Sequence, residues 1–300
     1  MIKRRTWAAL VGSFASLCVF SCTEPIEVGR DVASGASAGT SGAMNLGGAS
    51  PGGTGGSTHT CQRSACQGKV YLCGDCDDND GDGLVDSDDP ECTGPCDNTE
   101  DSYSGGIPGQ NNAPCRQDCY FDQDTGSGDD QCFWSHECDP LSIAPDFPPS
   151  GDSHCAYQPD ASIPGSNSNC AALSDTQASV CLDACLPITP NGCDCFGCCE
   201  LPADSGKFVW IGSAAQNVGT CDAAHVDDPA ACRPCTPVHS CFNACDPCEV
   251  CVGRSTPAAD CPSNGPPRCP ASSAPCGQPG EADCDLGDYC ITGCCAAAPR

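Results

Sequence analysis

The sequence predicts a chain of small disulfide-rich, loop-dominated modules with short β-hairpins, one short helix and no large hydrophobic core. Its 300 residues include 34 cysteines, 34 glycines and 27 prolines, a cysteine density that marks disulfide scaffolds rather than ordinary globular chains. Apolar residues are scarce: beyond residue 21 only 33 of 279 are Leu, Ile, Val or Phe, about 12%. A chain this polar and this charged stays disordered unless covalent bridges lower the entropy of its unfolded state. Disulfides, each typically worth about 2 to 4 kcal/mol, supply that term. They persist in an oxidising space such as a periplasm or cell surface, so compartment follows from composition.

Residues 1–21 read as a secretory leader. Lys3, Arg4 and Arg5 precede an apolar run from Trp7 to Phe20, too short for a stop-transfer helix and removed rather than folded. The run ends in Val19-Phe20-Ser21-Cys22, which resembles a bacterial lipobox with Cys22 as the acylated residue. Phe20 departs from the small residue usual there. The same resemblance reads Thr23, in place of a retention aspartate, as sorting to the outer membrane. Residues 22–60 form the lipidated anchor and a tether. From Asp31 to Thr60 there is no cysteine and little besides Gly, Ser, Ala and Thr; thirty residues of that kind span roughly 30 Å.

Residues 61–140 are expected to form a cysteine-rich module carrying the strongest chemical signal in the chain. Positions 78–89 read as a twelve-residue Ca²⁺ loop: Asp78, Asp80, Asp82, Asp86 and Asp89 fall at positions 1, 3, 5, 9 and 12, and Leu84 offers its carbonyl at position 7. Gly83 supplies the sharp turn at position 6, and Val85 is the apolar residue that pins the loop. Calcium takes six to eight hard oxygens in flexible geometry, and alternate aspartates in a tight turn converge on one centre. Asp at position 12, with no amphipathic helix on either flank, makes the loop look like thrombospondin type 3 or dockerin-like loops rather than a helix-flanked EF-hand. Cys73, Cys76, Cys92 and Cys96 bracket it and are expected to clamp it. A second stretch, Asp122 to Asp130, has acidic spacing without the full pattern and reads as a solvated turn.

Residues 141–190 form a cysteine-containing connector with one helix, Ser174 to Leu186. Ser174 and Gln177 make a capping box, Leu173 staples onto Ala178, and Pro187 closes the end, which places Cys181 and Cys185 on one helical face. Residues 191–300 hold further modules ending in vicinal cysteine pairs, Cys198-Cys199 and Cys294-Cys295. Within them, Cys195 to Leu201 and Lys207 to Ile211 flank a Pro202–Gly206 turn and predict a hairpin, with Phe208 and Trp210 on one face and Val209 and Ile211 on the other. Cys232, Cys235, Cys245, Cys248 and Cys251, with His225 or His239, have the spacing of a soft-metal (Zn or Cu) site; in an exported chain the same thiols are expected to pair.

The lipobox, the Gly/Ser tether, the Asp75-to-Asp86 stretch and the vicinal cysteines together resemble cysteine-rich lipoproteins of myxobacterial type. That resemblance implies an exported calcium-motif protein and brings no activity with it. Net charge is −28, becoming −31 once the three basic leader residues are removed, which excludes nucleic acid as a partner and favours divalent cations and basic ligands. No nucleophile elbow, zinc-protease signature, phosphate loop or dinucleotide turn is present, and the histidines read as surface or turn residues. The first reading is therefore a non-enzymatic outer-membrane lipoprotein, attached to the membrane through lipid on Cys22, with a protein or polysaccharide surface ligand. The alternatives are a soft-metal binding protein using Cys232 to Cys251 and a secreted hydrolase with an unrecognised site.

Overall fold

Sulfur pairing organises the architecture. The computed structural model describes residues 61–103, 115–122, 130–141, 155–163, 165–214, 221–255, 261 and 268–300, and all 32 cysteines from Cys61 onward are joined in 16 disulfides. The leader, Cys22, the tether and most of the second acidic stretch lie outside the described residues. The bridges never interleave between distant parts of the chain. They close five successive blocks, 61–96, 115–185, 193–241, 245–261 and 269–295, and the second of them runs across residue 140, where a boundary between module and connector was expected. The short helical segment is thus covalently tied to residues 115–138 through Cys119–Cys185, Cys132–Cys181 and Cys138–Cys170.

Regular structure is sparse. Two two-residue ladders carry the chain between cysteines: β1 (Arg116–Gln117) pairs antiparallel with β2 (Trp134–Ser135), and β3 (Ser162–Ile163) with β4 (Ser168–Asn169). Two short helices follow, α1 (Cys170–Asp175) and α2 (Ser179–Ala184). The largest sheet has five strands in the order β8-β7-β6-β5-β9, built from β5 (Cys193–Asp194), β6 (Cys198–Glu200), β7 (Phe208–Trp210), β8 (Arg233–Pro234) and β9 (Phe242–Asn243). A terminal hairpin, β10 (Asp288–Ile291) with β11 (Cys294–Ala297), closes the chain. This is a disulfide-rich, loop-dominated fold of small sheets, the class expected.

The hairpin expected at 195–211 forms, with Cys199 opposite Val209 and Cys198 opposite Trp210. The helix does not form as expected. Asn169 caps an earlier start by accepting the Ala172 N–H at 3.0 Å, and the segment breaks at Thr176–Ala178. Gln177, instead of closing a capping box on Ser174, is buried and reaches across to Phe133, donating to its carbonyl at 2.9 Å and to that of Leu173 at 3.1 Å. A long-range partner outbid the local cap, because a buried amide gains most where it satisfies a second segment's backbone. Cys181 and Cys185 do share one face, and both are buried in bridges.

Half-cystines and aromatic rings share the core. Trp134 stacks on Phe196 with centroids 6.0 Å apart, and Tyr120 meets Trp210 edge-on at 6.4 Å. Such contacts add modestly to area burial, in a chain where aliphatic side chains are few. The vicinal cysteines follow from strand geometry, since neighbouring residues in a strand face opposite sides: Cys198 bridges to Cys235 and Cys199 to Cys193, while Cys294 bridges to Cys269 and Cys295 to Cys284. Blocks meet through non-covalent contacts, among them Tyr120 N–H to the Cys195 carbonyl (2.8 Å), Asn191 N–H to Thr292 Oγ1 (3.1 Å) and Gln67 N–H to the Pro299 carbonyl (2.9 Å). Peptide mapping without reductant should accordingly find cross-links only within the five blocks and no alkylatable thiol in the span 61–300; one bridge joining, for example, the 61–96 and 269–295 blocks would refute this pairing.

Candidate metal centre

The acidic loop is folded by its own carboxylates. Asp78 accepts the N–H groups of Gly81 (2.7 Å) and Gly83 (3.2 Å), Asp80 that of Asp82 (2.9 Å), and Asp82 that of Leu84 (2.7 Å). Short acidic side chains turn the backbone in this way because they can bond amides two to five residues on. Gly83 has φ +98°, a conformation that side chains disfavour. Asp78, Asp80, Asp82 and Leu84 are exposed and Val85 is half-buried. Three disulfides grip the loop's flanks: Cys61–Cys76, Cys66–Cys96 and Cys73–Cys92. The bracketing cysteines thus clamp the loop, with Cys61 and Cys66 as partners that spacing did not single out.

The second half of the loop turns inward. Asp86 is 5% exposed and accepts the Cys76 N–H at 3.1 Å, while Asp89, 3% exposed, accepts the Glu91 N–H at 2.7 Å through Oδ1. Asp89 Oδ2 is buried with no N–H or hydroxyl donor, and the Asp89 carboxyl interacts side chain to side chain with that of Glu91. The structure therefore separates the expected ligands into an exposed set on the rim and a buried pair beneath it, with Asp86 directed to the backbone before the loop. One residue of this cluster was not foreseen. Glu100, 2% exposed, accepts the Asn79 N–H at 2.6 Å and the Asp86 N–H at 2.9 Å, one on each carboxylate oxygen, so it fastens both halves of the loop from below. Its only sequence signal is an acidic residue shortly after the last bracketing cysteine, and in a chain with 40 acidic residues that signal is weak.

Burial dominates the electrostatics. It pushes the Asp86 carboxyl up to about 7, with the neighbouring charges of Glu100 and Asp75 adding to the effect and the Cys76 N–H opposing it. Asp89 is pushed up to about 8 by burial, reinforced by the charges of Glu91 and Asp82, and Glu91 is raised for the same reason. Among the described residues no lysine or arginine pairs with Asp86, Asp89, Glu91 or Glu100; Arg63 stands at the rim, 3.8 Å from exposed Asp77. Buried carboxylates without a counter-charge are costly, and that cost falls when a cation shares them.

A scan against protein-family models, a search of curated proteins and a search of solved structures each found no match. The chemistry of this centre is therefore read from its own geometry.

The cysteine cluster at 232–251 resolves into bridges. Cys232 pairs with Cys221, Cys235 with Cys198, Cys245 with Cys251 and Cys248 with Cys261. A disulfide sulfur is not the thiolate that zinc or copper requires. Sulfurs gathered elsewhere, as at Cys181, Cys195 and Cys241, are paired as well. His225 is exposed and bonds Asp222 at 2.7 Å, and His239 is exposed. His136 departs from the surface position expected of the histidines. It is buried, with Nε2 3.1 Å from Gln117 Oε1 and its ring edge-on to Trp210 at 4.7 Å, and burial pushes its pKa down to about 3, so it stays neutral in the core. Among the described residues no helix is long and apolar enough to cross a membrane.

A second buried carboxylate holds the five-stranded sheet together. Asp194 accepts the N–H groups of Phe196 (2.9 Å), Cys198 (2.8 Å) and Val238 (2.8 Å), and burial, outweighing those three donors, pushes its pKa up to about 7. The unfolded chain ionises this group near 3.8, so between roughly pH 4 and 7 the native state binds one proton more than the unfolded state. Stability from Asp194 is thus full below that window and is lost as pH rises through it, at about 1.4 kcal/mol per pH unit. In Asp194→Asn that component of the slope should vanish. Urea melts at pH 4.5, 6 and 8 would show it, and a slope identical to the wild type would refute the assignment.

Proposed function

We propose that this chain is an exported, lipid-anchored, calcium-binding surface protein without enzymatic activity, a rigid ectodomain for contact with surfaces or other cells. Complete pairing of the 32 cysteines beyond Cys22 carries the first part: such a molecule is disulfide-stabilised and belongs to an oxidising compartment. Anchoring through lipid on Cys22, outer-membrane sorting and a protein or polysaccharide ligand rest on the leader and on the strongly acidic surface.

The calcium reading rests on the loop. Asp89 at position 12 buries a carboxylate oxygen with no hydrogen-bond donor, on the side of the loop that Asp82 and Glu91 also charge. Hard oxygens of this kind suit Ca²⁺ and offer nothing to a soft ion. An extracellular site of this class binds at roughly 0.1 to 1 mM, so 10 mM Ca²⁺ stabilises the native state by about 1.4 to 2.7 kcal/mol. Thermal melts of the full chain with 10 mM Ca²⁺ and with chelator should differ by several degrees, and Asp80→Asn should remove most of the difference. Coincident melts would end the calcium reading. Intact-mass analysis of membrane-extracted material tests the anchor separately, by the added mass of acyl chains on Cys22.

A further inference from the structure

The residue above the buried side of the loop comes from the other end of the chain. In the terminal hairpin, β10 packs against the turn Asp86–Asp88, and this places Tyr289 over the acidic cluster. Tyr289 is 5% exposed, and its hydroxyl is buried with no hydrogen-bond partner. Burial raises its pKa well above the ordinary tyrosine range, and the charges of Asp86, Asp97, Glu100 and Asp89 add to the effect. Asp89, one of the charges that reach Tyr289, buries its Oδ2 without an N–H or hydroxyl donor, and Asp89 and Glu100 each bring a carboxylate oxygen within 4.8 Å of the other. Two ligands of one calcium ion, each at 2.3 to 2.6 Å, fall within that separation. A buried hydroxyl donor and a buried carboxylate oxygen without a donor, on segments packed against each other, leave two hydrogen-bonding deficits that a hydrated cation satisfies together.

Covalent connectivity gives this contact its consequence. The 61–96 block is closed by its own three bridges and the 269–295 block by its own three, Cys269–Cys294, Cys276–Cys290 and Cys284–Cys295. No disulfide joins them. They meet through the Gln67 N–H to Pro299 carbonyl bond at 2.9 Å and through Tyr289 on the loop.

We propose that Tyr289 completes the cation site from the far end of the chain: its hydroxyl donates to a water on the ion held by Asp89, so that ion occupancy clamps the terminal hairpin onto the amino-terminal block. The proposal rests on the calcium reading of the loop. The ion supplies the link that the disulfides do not, joining two blocks that are each rigid but only packed together.

The test uses the full oxidised chain, with calcium binding measured by calorimetry and amide hydrogen exchange followed at Gln67 and over residues 287–298. In the wild type, 10 mM Ca²⁺ should slow exchange at these amides at least ten-fold relative to chelator. Tyr289→Phe keeps the packed ring and removes only the hydroxyl; it should weaken calcium binding about three- to ten-fold and abolish most of the added protection. Asp80→Asn, which leaves the hairpin untouched, should lose the protection together with the binding. If calcium binds the wild type and Tyr289→Phe equally, or if hairpin exchange is the same with and without the ion, the clamp is overturned while the calcium loop stands. If calorimetry detects no calcium binding to the wild type at millimolar ion, the underlying reading fails, and the clamp with it.

Discussion

Replacing Cys119 and Cys185 together by alanine is expected to destabilise the fold by about 4 kcal/mol, the most of any single bridge. Their separation of 66 residues is the longest among the bridges, and in the chain-entropy account the stabilisation grows with the loop closed. The corresponding pair at Cys193 and Cys199, separated by 6 residues, should cost only about 2 kcal/mol. The first figure is an upper one, because Cys132–Cys181 and Cys138–Cys170 already shorten the loop that Cys119–Cys185 would otherwise close. Denaturant melts of the two double variants, compared with the wild type, check both the size and the order. Equal losses would mean that local packing around the sulfurs, rather than loop closure, sets their contribution. Full reduction removes all sixteen terms at once, and circular dichroism should then show a chain with no cooperative melting transition.

Glu100→Ala is expected to cost about 2 to 5 kcal/mol and to abolish the calcium response. The buried N–H of Asp86 and the part-buried N–H of Asn79 would both lose their acceptor, and leaving a buried donor unpaired costs about 1 to 3 kcal/mol. Glu100→Gln keeps one acceptor oxygen and turns an amide donor toward the other N–H, so its loss should fall between wild type and alanine. Glu100 positions the loop through its backbone, and this predicts a specific signature: calcium affinity falls in Glu100→Gln while the loop's own aspartates are unchanged. A Glu100→Ala variant within 0.5 kcal/mol of the wild type, still responding to calcium, would show that the bridges alone hold the loop.

Legibility in the sequence follows the range of the interaction. The acidic turn was readable because its hydrogen bonds run between residues two to five apart, from Asp78 to Gly81 and Gly83 and from Asp80 to Asp82. The 198–210 hairpin was readable because its turn and alternation lie in one short window. The helix is not legible locally because Gln177, a residue suited to a local cap, is used 44 residues away on Phe133. The burial of His136 is hidden for a similar reason: nothing near it in sequence announces that Gln117 and Trp210 enclose it. The soft-metal spacing at Cys232 to Cys251 is real as a pattern, but its cysteines find sulfur partners on both sides of that window, at Cys198, Cys221 and Cys261.

Composition alone determined that this chain must be cross-linked: with about 12% of Leu, Ile, Val and Phe beyond the leader, hydrophobic burial is too small to offset chain entropy, whatever the topology. The identity of the acidic loop was likewise determined locally, because short side chains bonding nearby amides leave few ways for that turn to fold. Tertiary structure decided which sulfur meets which, since many pairings of 32 cysteines are compatible with the same spacings and only chain packing selects among them. It also decided that Glu100 folds back under the loop, onto amides 14 and 21 residues away, and that Tyr289 packs against the loop's buried side, a position that depends on how separately closed blocks dock and so on three-dimensional complementarity rather than on neighbours in the chain.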